Sequence, residues 1–157
     1  NHGHGIKSIC ESIKSICHKY DHVHFIWPVH PNPMVAEVVY EELKGLERVK
    51  LTKPLDYLSL ITLIQQSYVI WTDSGGIQEE APEFNKPVLI LREETERPEI
   101  ITCGLGFLVG TDQTAIERQM SKLIEDHHYY ESFRTVINPF GDGLASNRIV
   151  NLFKSLA

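Results

Sequence analysis

The stretch of sequence that decides the fold runs from residue 68 to residue 84 and reads YVIWTDSGGIQEEAPEF. Its first four residues, Tyr68 to Trp71, form an apolar run of the kind found in buried parallel strands. From Gly75 to Phe84 the pattern predicts a helix, so the polar residues in between mark a strand-to-helix junction. Such junctions are the repeating units of parallel α/β proteins.

The same alternation of strands and helices continues on both sides of this junction. The sequence predicts strands at 22–29, 49–52, 68–71, 87–91 and 107–109, and helices at 6–20, 35–46, 55–66, 75–84, 113–126, 129–136 and 144–156. Because parallel strands need helical crossovers, we expect residues 1–157 to form one α/β domain, a doubly wound Rossmann-like parallel sheet with helices on both faces. Ligands of such sheets bind beyond the carboxyl ends of strands, which points to the loops after Val29, Trp71 and Leu91.

The composition is that of one compact domain. Of 157 residues, 42% are apolar and 23% are charged, and the formal net charge is -6. No run of Lys or Arg gives a footprint for nucleic acid or an anionic membrane, and no apolar run is long enough to span a bilayer. Three cysteines without a paired framework favour a reducing, cytoplasmic setting. Cys10 and Cys17 share one helical stripe, so we predict that they are core hydrophobes.

Two interpretations of the junction stay open from its residues alone. Gly75 and Gly76 each weaken a first helical turn by about 1 kcal/mol relative to Ala, which makes sense if a ligand must approach the backbone. Bare amide groups at that point would bind an anion such as a diphosphate. In the alternative, Asp73 or Ser74 is an ordinary N-cap and the glycines only permit a tight turn.

Further candidates lie near the junction and at the other strand ends. Glu80 could accept both hydroxyls of a ribose, or merely complement the helix dipole as early acidic residues often do. Arg97, beside Pro98, could aim its guanidinium at a phosphate. His30 has a restricted, proline-flanked backbone, although a lone histidine is more often structural than a ligand contact. No grouping has metal-ligand spacing, and no serine nucleophile elbow or P-loop is present, so we predict no metal site.

Four motifs closely resemble those of the bacterial non-hydrolysing UDP-N-acetylglucosamine 2-epimerases and occur in the same order along the chain. They are PVHPNP at 28–33, TDSGGIQEEAP at 72–82, TERPE at 95–99 and NPFGDG at 138–143. The resemblance implies a GT-B architecture, in which the substrate binds in the cleft between two Rossmann-like domains, and this chain is similar to the C-terminal one. We expect no cofactor.

The resemblance also implies which residues contact the UDP-sugar. Ser74, Gly75 and Gly76 would meet the diphosphate, and Glu80 would bind the ribose hydroxyls. Arg97 would face the phosphate and sugar side of the substrate.

Two further substrate contacts follow from the same resemblance. His30 would lie at the cleft. Leu60 occupies a position at which similar proteins tend to have Phe near the uracil, and losing that aromatic contact could weaken base binding.

The family's reaction interconverts UDP-GlcNAc and UDP-ManNAc by eliminating UDP and adding it back with the opposite configuration at C2. Its catalytic carboxylates belong to the N-terminal domain, so we expect no catalytic residue in this chain and no activity from the chain alone. The resemblance also implies that the missing N-terminal domain is the partner of this one and that the whole protein is a homodimer. One alternative is a truncated, non-catalytic module for UDP binding or interaction. A UDP-glycosyltransferase domain is disfavoured because Gln78-Glu79-Glu80 departs from the signatures of that class.

Overall fold

The computed structural model describes residues 4–156, and the strands within that range pair in parallel. They are β1 (Phe25–Pro28), β2 (Val49–Thr52), β3 (Ile70–Thr72), β4 (Val88–Ile90) and β5 (Gly106–Leu108). β1 pairs with β2, while β4 lies between β3 and β5. The predicted α/β fold with parallel strands is confirmed.

The strands form two hydrogen-bonded sheets where one continuous sheet was predicted. β1 and β2 make a two-stranded sheet, and β3, β4 and β5 make a three-stranded one. The ring of Phe25 on β1 packs edge-to-face on Trp71 of β3, with ring centroids 5.1 Å apart. Aromatic packing, in place of a ladder of backbone hydrogen bonds, therefore joins the two sheets at this edge.

Helices separate the strands, as predicted everywhere except between β4 and β5. Those of the described region are α1 (His4–Lys19), α2 (Pro33–Glu42), α3 (Tyr57–Gln66), α4 (Gly75–Glu80), α5 (Pro98–Thr102), α6 (Gln113–Glu125), α7 (His127–Glu131) and α8 (Ala145–Ser155). No helix among residues 4–156 has the length and apolar character needed to cross a membrane.

The structure corrects the helix predicted over 75–84 and adds a helix after Leu91 that was not predicted. The helix expected over 75–84 is α-helical only to Glu80 and continues as a 3-10 turn from Ala81 to Phe84. Pro82 has no N–H to donate to the carbonyl of Gln78, so the α-helical pattern cannot continue there. The polar loop after Leu91 leads into α5, which was not predicted; Pro98 stands at its start, where a missing N–H costs nothing.

Helix α1 supplies one wall of the core. Its buried side chains fall at spacings of three and four, and the helix packs against α2 and α6. Both Cys10 and Cys17 are buried free thiols in this stripe, which confirms their prediction as core hydrophobes. Burial is the main reason that the pKa of Cys10 rises to about 11, so this thiol is inert at neutral pH.

The central strand β4 is the most deeply buried part of the sheet. Val88, Leu89 and Ile90 are fully buried, as expected for a parallel strand covered on both faces. On neighbouring β5, a Cβ at Gly106 would lie 2.8 Å from Ile100 Cγ2, so only glycine allows α5 to pack this closely on the strand.

Helix α8 differs from the other long helices because none of its residues is buried. Its exposed apolar side chains lie mostly in the second half of the helix: Ile149, Val150, Leu152 and Phe153. The helix therefore carries an apolar face that residues 4–156 do not cover.

Candidate functional site

The junction between β3 and α4 begins with a serine whose side chain does not cap the helix. Ser74 has the extended backbone of an N-cap residue, with φ -85° and ψ 129°, but it makes no side-chain capping bond. Its own N–H donates to Thr72 Oγ1 at 3.0 Å. The first amide groups of α4 are thus left without the side-chain acceptor that an ordinary N-cap serine supplies.

The two glycines at the junction are not required by its backbone geometry. Neither Gly75 nor Gly76 has the positive φ found at five other glycines among residues 4–156. A Cβ at Gly76 would approach only Ser74 Oγ, at 3.8 Å, which is ordinary contact. Alanine would fit and favour the helix, so a tight turn does not account for these glycines.

The guanidinium of Arg97 lies over the start of α4. Its Cζ and Nη2 are each 3.6 Å from the position that a Cβ on Gly75 would take. The Nε of Arg97 donates a hydrogen bond to the Glu79 carboxylate. This contact is the main reason that the pKa of the guanidinium is raised above its ordinary value. The structure thus brings the predicted residues Arg97 and Gly75 together and adds Glu79 as the partner that holds the arginine.

Glu80 faces a residue that sequence reasoning missed. Tyr57 is the first residue of α3 and is 62% exposed, and the negative charge of Glu80 is the main cause of its raised pKa. This tyrosine could have been noticed because it stands one helical turn before Leu60. Leu60 itself is half-buried and packs against the core.

Two polar residues behind Arg97 were also missed. Gln78 on α4 is fully buried, and its Oε1 accepts a hydrogen bond of 2.5 Å from Thr95 Oγ1. The available signal was helical spacing: Gln78 lies three and four residues before Ala81 and Pro82, which are buried. A polar side chain on such a core-facing stripe is expected to have a buried hydrogen-bond partner.

His30 is exposed at the end of β1 and belongs to a separate local network. Its Nδ1 accepts the N–H of Asn32 at 3.2 Å, so the neutral ring carries its proton on Nε2. Asn32 in turn caps α2 by accepting from Met34 N. Within residues 4–156, no hydrogen bond or ion pair joins His30 to Glu80 or Arg97.

The motif at 138–143 is attached to the segment that follows α4. Asn138 Nδ2 donates to Glu83 Oε2 at 2.8 Å, and Asn138 Oδ1 accepts from Phe140 N. Asp142 binds Arg148 of α8 through two hydrogen bonds of 2.6 and 2.7 Å. This loop therefore links the segment after α4 to α8, which is more than a simple connector would do.

The fold and this arrangement define a class of protein: an α/β domain of GT-B type, with a glycine-rich strand-to-helix junction faced by an arginine. The chain belongs to the UDP-N-acetylglucosamine 2-epimerase family, whose sequence model matches residues 1–154. The family suggested by the four motifs is confirmed.

Individual relatives agree with this assignment. The chain is 43% identical over 153 residues to the UDP-N-acetylglucosamine 2-epimerase of Salmonella typhimurium, covering 98% of the chain and 41% of that protein. The crystal structure of UDP-GlcNAc 2-epimerase from Neisseria meningitidis bound to UDP-GlcNAc has a TM-score of 0.92 at 42% identity, over 99% of this chain and 42% of that one. A Staphylococcus aureus co-structure with UDP has a TM-score of 0.91 at 40% identity, over 99% of this chain and 42% of that one.

The relatives are considerably longer than this chain. The chain spans about 40% of the length of the curated relatives that it matches. The remaining part of each relative has no counterpart in these 157 residues.

Proposed function

We propose that this chain is the UDP-binding domain of a UDP-N-acetylglucosamine 2-epimerase, an isomerase that interconverts UDP-GlcNAc and UDP-ManNAc. The observation that carries the proposal is the position of Arg97, whose guanidinium lies against Gly75 at the start of α4, where the Ser74 side chain makes no capping bond. A fixed cation beside the backbone amides of a helix start is suited to a diphosphate. Two similar proteins have been solved with UDP-GlcNAc and with UDP.

In this proposal the diphosphate lies beside both the start of α4 and the guanidinium of Arg97. The Ser74 hydroxyl and the amide groups of Gly75 and Gly76 donate to its oxygens, and the missing Cβ atoms let it come close to the backbone. Arg97 binds the same phosphates while Glu79 holds its Nε. The absence of positive φ at both glycines supports a ligand-driven need for them.

The nucleoside extends from the diphosphate towards α3. Glu80 accepts the ribose hydroxyls, and Tyr57 lies close enough to have its pKa raised by the Glu80 charge. Leu60, one turn further along α3, faces the uracil with an aliphatic side chain, and His30 lines the opposite side of the cleft. An aliphatic contact supplies less stabilisation than a stacked aromatic ring.

These residues act on the leaving group. Elimination of UDP places growing negative charge on the diphosphate, and donors fixed in advance at that position lower the barrier. The groups that move the proton at C2 belong, in this proposal, to the part of the full-length relatives without a counterpart here. The isolated chain therefore binds UDP without turning over UDP-GlcNAc.

We further propose that the exposed face of α8 packs on that other domain. Leu152 and Phe153 are 60% and 69% exposed, and an amphipathic helix with an unburied apolar face gains stability from a partner surface. The cytoplasmic setting and the homodimer remain expectations of the proposal.

Isothermal titration with UDP tests the binding claim. We expect saturable binding, with much weaker binding of uridine because uridine lacks the phosphates that α4 and Arg97 contact. GDP serves as the control for base recognition. No heat with millimolar UDP, or equal affinity for UDP and uridine, would overturn the proposal.

A further inference from the structure

A fully buried glutamine lies beneath the loop that carries Arg97. Gln78 is on α4, and its Oε1 accepts the 2.5 Å hydrogen bond from Thr95 Oγ1. Its Nε2 is buried as well and, in the part of the chain that the structure describes, has no hydrogen-bond partner. An unpaired buried donor costs about 1–3 kcal/mol, so packing alone would favour an apolar side chain at this position.

Thr95 connects this glutamine to the backbone of Arg97. Thr95 Oγ1 accepts the N–H of Arg97 at 3.1 Å, which leaves its single hydroxyl proton for Gln78 Oε1. The hydroxyl is thereby held from both sides, and the backbone of Arg97 is fixed relative to α4.

The contacts from α4 through Gln78 and Thr95 to Arg97 form a ring, because the Arg97 side chain contacts α4 again. It returns to α4, where it pairs with Glu79 and lies 3.6 Å from the Cβ position of Gly75. A guanidinium is a planar fork, and its donors match phosphate oxygens only when the plane is held in one orientation. Glu79 holds one end of this side chain, and the Thr95 hydroxyl holds the other through the backbone.

We propose that Gln78 and Thr95 are positioning residues that hold the Arg97 guanidinium in place to bind the diphosphate of a UDP-sugar. This inference rests on the proposed UDP-binding function. Neither residue touches the ligand; both act through Arg97. The unpaired Nε2 is the cost of keeping a hydrogen-bond acceptor beneath the loop, where an apolar residue would leave the Thr95 hydroxyl without its acceptor.

UDP titration of four variants of the chain tests the proposal. Thr95→Val and Gln78→Met each remove one side of the hydroxyl contact, and we expect UDP affinity to fall about tenfold. Thr95→Ser keeps the hydroxyl and should stay within about twofold of the parent. Thr102→Val is the matched control, because the Thr102 hydroxyl bonds only Pro98 O within α5. Parent-like affinity of both Thr95→Val and Gln78→Met would overturn the proposal.

A double-mutant cycle separates positioning from a merely structural role. In an Arg97→Ala background, Thr95→Val should cause no further loss of UDP affinity, because its effect passes through the arginine. Gln78→Met should leave the thermal midpoint unchanged or raised, since it removes the unpaired donor. An undiminished loss in the Arg97→Ala background, or a fall in midpoint that parallels the fall in affinity, would contradict positioning.

A readout without UDP keeps this inference distinct from the proposed function. The NMR signal of the Arg97 Nε–H should exchange slowly in the parent and Thr95→Ser proteins, where Glu79 accepts it, and rapidly in Thr95→Val and Gln78→Met. If the parent fails to bind UDP, the proposed function is wrong, and this signal still decides whether the two residues position Arg97. Equal exchange in all four proteins would refute the positioning role.

Discussion

Arg97 and Glu79 form an ion pair that joins the loop after β4 to helix α4. The guanidinium lies over the start of the helix, with Cζ and Nη2 each 3.6 Å from the position that a Cβ on Gly75 would take. Because arginine has five N–H donors, a bound phosphate can share the group with Glu79 without displacing it. The two acidic residues at 79 and 80 thus have separate tasks: one holds the arginine, and the other is proposed to bind the ribose.

Replacing the arginine tests the phosphate contact directly. We expect Arg97→Ala to weaken UDP binding at least tenfold and Arg97→Lys to recover only part of the loss, because an ammonium lacks the planar fork. Isothermal titration measures both. Arg118→Ala, at an exposed position on α6, is the control and should bind as the parent does. Parent-like binding by Arg97→Ala would remove this residue from the site.

Gly76→Ala separates a glycine kept for the fold from one kept for a ligand. Its Cβ has room, so the free energy of unfolding should stay constant or rise by up to about 1 kcal/mol, while UDP affinity falls. Urea denaturation and UDP titration give the two quantities. Gly45→Ala is the inverse control: its φ of +79° predicts lost stability with unchanged affinity. Unchanged UDP affinity in Gly76→Ala would count against close approach of the ligand.

The contact between α3 and α4 predicts a titration change. Since the charge of Glu80 is the main cause of the raised pKa of Tyr57, Glu80→Gln should return that pKa towards its ordinary value. Ultraviolet difference titration of each protein against its own Tyr57→Phe variant isolates this phenol. Glu83→Gln, which removes a charge bound instead to Asn138, should leave the titration unaltered. An identical curve with and without Glu80 would mean that the two side chains are apart.

The buried phenol of Tyr130 should contribute to a loss of stability in alkaline solution. Burial is the main reason that the pKa of Tyr130 is raised from 10.0 to about 12. The unfolded chain therefore loses this proton first, and stability should fall as the pH rises from about 10 towards about 12.

Tyr130→Phe checks that slope. It removes the hydrogen bond to Tyr68 O, which should lower the free energy of unfolding by about 1 kcal/mol. It should also make that free energy, measured by urea denaturation, fall less steeply as the pH rises. Tyr40→Phe, at an exposed site, should decline like the parent. A decline of the same steepness in Tyr130→Phe would exclude a contribution from this phenol.

The apolar face of α8 should matter for association and little for the fold of this chain. The double variant Leu152→Ser with Phe153→Ser should unfold at the parent's urea midpoint, since both side chains are mostly exposed, and should co-sediment less with the other domain that is proposed to cover them. The double variant Asn147→Ser with Asn151→Ser is the control on the same helix and should sediment as the parent does. A large drop in the urea midpoint of the first variant would show that the face packs within the chain.

Much of the fold followed from local patterns. The apolar run before Gly75 predicted β3, and the spacing of Ile6, Ile9, Cys10 and Ile13 predicted α1. The α-helix predicted over 75–84 ended too late and α5 was not predicted, because each depends on how a proline breaks or begins a helix.

The sequence by itself determined the order of strands and helices, the glycine-rich junction and the family, because each is encoded in neighbouring residues. Only the tertiary structure decided that Arg97 lies over Gly75, that Glu79 is its partner, and that Thr95 ties it to buried Gln78. The loop that carries Arg97 and the helix that it contacts are about twenty residues apart in the chain. No local periodicity records such a contact, because it forms only when parallel strands bring their carboxyl ends to one edge.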